Sequence, residues 1–303
     1  MGRIDEAMNR ARMDAGQGTG AAAPTPAPSP WEVDQVAGRE QASLPAREPV
    51  ERASLSRSGP ETRERRRSLR PGGKLDSPAA DRLVVSANAG PLVVERFRRL
   101  AAEILRARAE RELKSVLVTS PAPGDGKSNV AVNLALTLSE SFHLRVLLID
   151  ADLRRPTLHA LFGVANTAGL AAALVPGHNG RVDTVEVGEA LTLLPAGRPE
   201  TSPLGGLASD RLKHLIADAS SRFDWIIVDS PPVGMLADAH LVSEAVDGAL
   251  LVVRAGVTPH SEMEAAADTL GHERILGVVL NAVDPEEVRG EGYYSHYYGG
   301  DRA

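Results

Sequence analysis

The sequence has no cysteine. That excludes disulfides, thiolate metal sites and cysteine nucleophiles together, and it fits a reducing cytoplasm. No stretch approaches the roughly 20 apolar residues a membrane-spanning helix needs. The opening MGRIDEAMNRARMDAG also lacks the apolar core of a secretory signal. Gly2 follows Met1, but Glu6 stands where a myristoylation signal wants Ser or Thr, so no lipid anchor is indicated. The expectation is a chain soluble by itself. The eight histidines are scattered without ligand spacing. Tyrosine is scarce too: four among 303 residues, all between 293 and 298.

The net charge of −6 is unevenly spread. Residues 1 to 80 carry 13 basic against 11 acidic side chains, net +2, which leaves −8 for the remainder. An acidic globular part argues against nucleic acid as a partner. The 43% apolar content suffices for a sizeable core.

Residues 1 to 16 have the pattern of a short helix with Ile4, Met8 and Ala11 on one side, open to two readings, a frayed terminus or a docking segment. From 17 to 80 the composition turns to Gly, Pro, Ser, Arg and Glu, which cannot bury enough apolar surface to offset ordering entropy; it reads as a disordered linker. Its run RERRRSLR, 63 to 70, is either a solvated charge run or a contact for anionic lipid. A domain over 81–290 follows, and then a tail over 291–303.

Within that domain, Pro91 opens a helical pattern with Val94, Phe97, Leu100 and Ile104 at spacings of three and four. Strands are predicted at 114–119, 145–150, 191–195, 225–229, 248–253 and 275–281. Helices are predicted between them at 127–140, 166–175, 205–220, 236–246 and 260–271. Runs such as VLLI, WIIV and ALLVV suit a sheet covered on both faces, so the alternation predicts an α/β fold with a doubly wound parallel sheet of the P-loop NTPase type.

The stretch SPAPGDGKSNVAVNLA, 120 to 135, joins the first strand to its helix. Gly124 and Gly126 allow close backbone approach, so consecutive N–H groups and the positive end of a helix dipole face a polyphosphate. Lys127 can then reach the β- and γ-phosphates, and the Ser128 hydroxyl can ligate Mg²⁺. Pro121 departs from the general pattern, which has glycine there; the competing reading is an ordinary glycine turn before a helix. Two other strands end in carboxylates: RVLLIDAD in Asp150 and Asp152, WIIVD in Asp229. In open α/β sheets ligands sit beyond the carboxyl ends of the strands, and nucleotide-bound Mg²⁺ needs only one or two carboxylates.

These segments, with IIVDSPPV (226 to 233), ILGVVLNAVD (275 to 284) and the tyrosine-rich tail, resemble the Walker A, A′ and B motifs and the terminus of the bacterial tyrosine kinases that accompany capsular and exopolysaccharide synthesis. The resemblance runs from about residue 90 to 303. It implies ATP and Mg²⁺ as cofactors and a nucleotide site made of Gly124, Asp125, Gly126, Lys127, Ser128, Asn129 and Asn281. It implies Ser128, Asp152 and Asp229 as metal ligands and Asp150 as the group that deprotonates a tyrosine hydroxyl. Asn281 is left between an adenine contact and a turn role, and Arg154 between phosphate neutralisation and an ordinary surface position. Tyr293, Tyr294, Tyr297 and Tyr298, set among glycines, read as phosphoacceptors, with a sticky aromatic terminus as the other reading.

The resemblance also implies partners: other copies of the chain phosphorylated in trans, a membrane adaptor that recruits this cytoplasmic protein to the inner face of the membrane, and a tyrosine phosphatase. Relatives commonly carry Glu-x-x-Arg-x-x-Arg before the core, where it builds a ring. Here Glu95 and Arg98 match, but Ala101 replaces the second arginine. A non-kinase ATPase switch of the partitioning or septum-site type is the alternative, disfavoured by the lack of a second lysine early in the phosphate loop. An inert binding module is disfavoured by the intact Lys127, Ser128 and three aspartates.

Overall fold

The computed structural model describes residues 83–84, 90–177, 182–198, 204–234 and 237–284. The docking segment at 1–16, the linker at 17–80 with its basic run, and the tyrosine tail at 291–303 lie outside the described residues.

Among the described residues seven strands form one sheet: β1 Ser115–Thr119, β2 Val146–Asp150, β3 Val185–Glu186, β4 Leu191–Leu194, β5 Trp225–Asp229, β6 Gly248–Arg254 and β7 Ile275–Asn281. Their order is β3-β4-β2-β5-β1-β6-β7, parallel throughout except for the β3–β4 pair. β1, β2 and β5 are buried along their whole length, as expected of continuous apolar runs covered on both faces.

Alternate side chains feed two cores. Val116, Val118, Leu148 and Ile227 face one side, where they meet helix α1 (Pro91–Arg111), α2 (Lys127–Glu140) and α3 (Leu158–Phe162). Leu117, Ile149, Val228 and Leu251 face the other, against α4 (Leu170–Ala173), α5 (Leu204–Leu207), α6 (Asp210–Ala219), α7 (Ala237–Ser243) and α8 (His260–Leu270). The period of two along each strand thus makes the sheet doubly wound.

α1 begins with Pro at its first turn and ends on Glu112 in a left-handed conformation at φ 54°. Its Ala101 and Ile104 are buried, and the Arg108 guanidinium lies 5.6 Å from the centre of the buried Trp225 ring, within cation–π range. Ala101 is fully enclosed. Ala101, the departure from the ring motif that the resemblance implies, is therefore turned into the core, while Glu95 and Arg98 pair with each other at 3.7 Å on the exposed side.

Three details differ from the sequence expectation. Helix 166–175 is confined to Leu170–Ala173, and an unpredicted helix at Leu158–Phe162 precedes it. Gly163, at φ 66°, ends α3. Gly169, whose Cβ would collide with the Pro195 carbonyl, begins α4. The stretch 205–220 divides into α5 and α6, with Ser209 as N-cap of the latter. The two-residue strand β3 is antiparallel and too short to show periodicity.

Candidate functional site

The loop from Ser120 to Gly126 connects β1 to α2. Gly124 and Gly126 both adopt positive φ, 92° and 94°, where any side chain would be strained. Gly126 also packs against the Asn281 amide, leaving no room for a Cβ. Pro121 is accommodated by the loop after β5. Val233 N–H donates to the Ser120 carbonyl at 2.9 Å, and Gly234 lets the Pro121 carbonyl approach to within 2.6 Å of where a Cβ would lie. Strand, glycine loop and helix stand in the arrangement that a phosphate cradle requires, and the ordinary-turn reading does not account for what lies beside it.

The three aspartates converge on this loop. Asp150 and Asp229 end neighbouring strands and sit directly opposite each other, and β5 also pairs with β1, which leads into the loop. Lys127 Nζ lies 3.7 Å from Asp152 Oδ2 and donates to Ser128 Oγ at 3.3 Å. All three carboxylates are buried, but their partners differ.

Asp150 accepts from three backbone N–H groups, those of Asp152 at 3.2 Å, Thr157 at 3.1 Å and Leu158 at 3.0 Å. It thereby supports the first turn of α3 from outside that helix. Burial pushes it up to about 6, the Leu158 and Thr157 amides pull it back, and the neighbouring Asp152 charge raises it. Asp152 accepts from Arg155 N–H at 3.0 Å.

Both oxygens of Asp229 are buried with no hydrogen-bond partner. Burial pushes this carboxyl up to about 7; the Lys127 ammonium opposes the shift and the Asp150 charge adds to it. The Ser128 hydroxyl lies near enough to lower it, though outside hydrogen-bonding geometry. A buried carboxylate without donors, next to a lysine and a serine hydroxyl, fits a site built for a cation with oxygen ligands.

Other candidate residues are turned to internal work. Asp125 is 3% exposed; its Oδ2 accepts from Ala122 N–H at 3.0 Å and its Oδ1 from the Thr258 hydroxyl at 2.7 Å. Asn281 donates from Nδ2 to the Asp125 carbonyl at 2.8 Å, so the side-chain amide holds the loop. Asn129, in the first turn of α2, accepts from Asn133 Nδ2 at 2.9 Å. Arg154 is neither a free surface residue nor an unattached cation: its Nε and Nη2 grip the buried Asp238 carboxylate at 2.6 and 3.2 Å. Asp238 and Thr258 were not marked by the sequence; an acidic residue in the first turn of α7 was the only available sign of the former.

A family model described as ParA, NUBPL iron-transfer P-loop NTPase, matches residues 112–281. Tyrosine-protein kinase YwqD of Bacillus subtilis is 34% identical over 203 residues, which cover 66% of this chain and 85% of that protein. The chain belongs to the bacterial tyrosine-protein kinase family. A second member, the putative tyrosine-protein kinase CapB of Staphylococcus aureus, is 30% identical over 69% of this chain and 91% of its own length. The solved kinase domain of Escherichia coli tyrosine kinase ETK aligns with a TM-score of 0.61 and 31% identity, covering 66% of this chain and 79% of that one. As a P-loop kinase the protein binds nucleotide, and the kinase relatives weaken the partitioning-switch alternative. Among the described residues no helix is long and apolar enough to cross a membrane.

Proposed function

We propose that this kinase is an ATP-dependent tyrosine autokinase that phosphorylates Tyr293, Tyr294, Tyr297 and Tyr298 of a neighbouring copy, and that it thereby regulates capsular or exopolysaccharide synthesis and export. The observation that carries the reading is the unpartnered, buried Asp229 carboxylate beside Lys127 and Ser128, joined to a chain whose tyrosines all lie in one tail. The loop amides and Lys127 bind the ATP phosphates. Ser128, Asp152 and Asp229 would hold Mg²⁺, which would supply charge neutralisation at the phosphate oxygens.

In the transfer, the tyrosine oxygen forms a bond to the γ-phosphorus. The bond to the β–γ bridging oxygen breaks and its electron pair leaves with ADP. The phenolic proton passes to a carboxylate, and Asp150, its proton affinity raised by burial, takes that role. A membrane adaptor would bring the kinase to the inner face of the membrane, and a tyrosine phosphatase would reset the tail. Incubation of purified protein with Mg·ATP, followed by phosphosite mapping, tests the reading: phosphate on the tail supports it, and nucleotide hydrolysis without phosphotyrosine supports the ATPase switch.

The division of labour among the aspartates has its own expected outcome. Asp150→Asn should still bind Mg·ATP but transfer at least about a hundredfold more slowly, the lower end of what a general base contributes. It should also melt lower, because an amide replaces the charge that accepts three backbone N–H bonds. Asp152→Asn should weaken Mg²⁺ binding itself. Equal loss of nucleotide affinity in both variants, measured by titration calorimetry, would reject the assignment.

A further inference from the structure

Asp125 puts a carboxylate in the middle of a loop that receives a polyphosphate. It stands between two glycines at positive φ, so the backbone on either side provides little restraint. Free to swing outward, this carboxylate would repel the ligand that the loop is built to hold. In the structure both of its oxygens are occupied, one by the loop's own Ala122 N–H and the other by the Thr258 hydroxyl from the turn after β6, 133 residues away.

Thr258 is itself fixed. Its hydroxyl accepts from Arg254 N–H at 2.9 Å, and its own N–H donates to the Arg254 carbonyl at 3.0 Å, closing the turn at the end of β6. β6 is the direct neighbour of β1, so the anchor is a strand of the same rigid sheet. Asn281, at the end of β7, completes the arrangement by donating to the Asp125 carbonyl. A trans peptide plane sends its N–H opposite to its C=O. With the Asp125 carbonyl held toward Asn281, the Gly126 N–H of that same peptide points away from Asn281 and is available to a ligand.

We propose that Thr258 is a positioning residue for nucleotide binding: by tethering the Asp125 carboxylate into the protein it keeps the phosphate loop's negative charge withdrawn and its amides presented. The inference rests on the nucleotide-binding part of the reading above and adds that the β6–α8 turn sets how well the loop accepts ATP. Losing a hydrogen bond to a charged group should raise Kd and KM for Mg·ATP by about tenfold in Thr258→Val, which keeps the shape and removes the hydroxyl. The rate at saturating ATP should change by less than about threefold, since Thr258 touches no reacting atom.

The test measures Mg·ATP affinity by titration calorimetry, and initial autophosphorylation rate against ATP concentration, in the full chain and in Thr258→Val, Thr258→Ser, Asp125→Ala and the Asp125→Ala/Thr258→Val double variant. Thr258→Ser should restore wild-type KM because it restores the hydroxyl. In the Asp125→Ala background the Thr258→Val change should have no further effect, because the group it acts on is gone. Wild-type affinity in Thr258→Val, failure of Thr258→Ser to rescue, or additive losses in the double variant would each overturn the tether while leaving the kinase reading standing. A wild-type chain that binds no Mg·ATP would overturn both.

Discussion

Lys127→Met should leave the tail tyrosines unphosphorylated after incubation with Mg·ATP, with an initial rate at least about a hundredfold below wild type, the scale on which a single electrostatic contact to the transferring group matters. The argument is geometric. Lys127 stands at the first position of α2, partly exposed, with its ammonium 3.7 Å from Asp152 and 3.3 Å from the Ser128 hydroxyl. It is not a packing residue, so the fold should stay intact even though the buried carboxylates lose a counter-charge, and phosphotyrosine detection on folded protein reads the chemistry alone. Undiminished phosphotyrosine in that variant would remove the phosphate loop from the mechanism.

The second large effect has two opposite signs. Asp229→Asn should abolish metal-supported transfer, yet make the metal-free protein more stable at alkaline pH. The Asp229 carboxyl is fully buried, has no hydrogen-bond donor, and is pushed up to about 7 from the ordinary carboxylate range. A folded-state value above the unfolded one means that the folded protein holds the proton more tightly. Stability is therefore fully present at low pH and is lost as pH rises from about 4 through about 7. At pH 8 the metal-free wild type carries the uncompensated charge and the Asp229→Asn variant does not. Each kcal/mol relieved should appear as about 2–4 °C in Tm for a domain of this size. Below about pH 4 the carboxyl is protonated in the folded and the unfolded wild type alike, and the two curves should converge. Added Mg·ATP should raise the wild-type Tm at pH 8 and leave the variant unmoved; equal melting of the two metal-free proteins at pH 8 would contradict the account.

Much of this site could be read before any coordinates, for physical reasons that differ along the chain. β5 was located to the residue because WIIVD is an apolar run stopped by a charge, and a central strand buried on both faces tolerates nothing else. The phosphate loop was legible because it requires two glycines at positive φ, and only that residue type accepts such angles at no cost. The region from Asp152 to Leu174 was not legible. Its short helices are fixed by partners outside them: Asp150, on the preceding strand, supports the start of α3, and the Pro195 and Ala196 carbonyls receive the N–H groups of Leu170 and Ala171. No local periodicity encodes that. The same limit concealed the Asp125–Thr258 and Arg154–Asp238 pairs, which join residues 133 and 84 positions apart. It also hid what the Asp125 and Asn281 side chains hold: Asp125 bonds to Ala122 and Thr258, and Asn281 takes the structural one of the two roles left open for it by donating to the Asp125 carbonyl.

The place of β5 between β1 and β2 also bears on how the protein is made. β1 and β2 follow each other in the chain but do not pair; the gap between them is filled by a strand that begins about 75 residues after Asp150. At about 5–20 residues per second a ribosome takes several seconds to deliver it. Until then the sheet has an open slot, and the chain must bear the entropy of a long loop before the pairing that rewards it. Asp229 arrives with that same strand. A nascent kinase therefore carries its phosphate loop without the carboxylate that faces it, and the order of synthesis withholds the assembled site until most of the fold has been made.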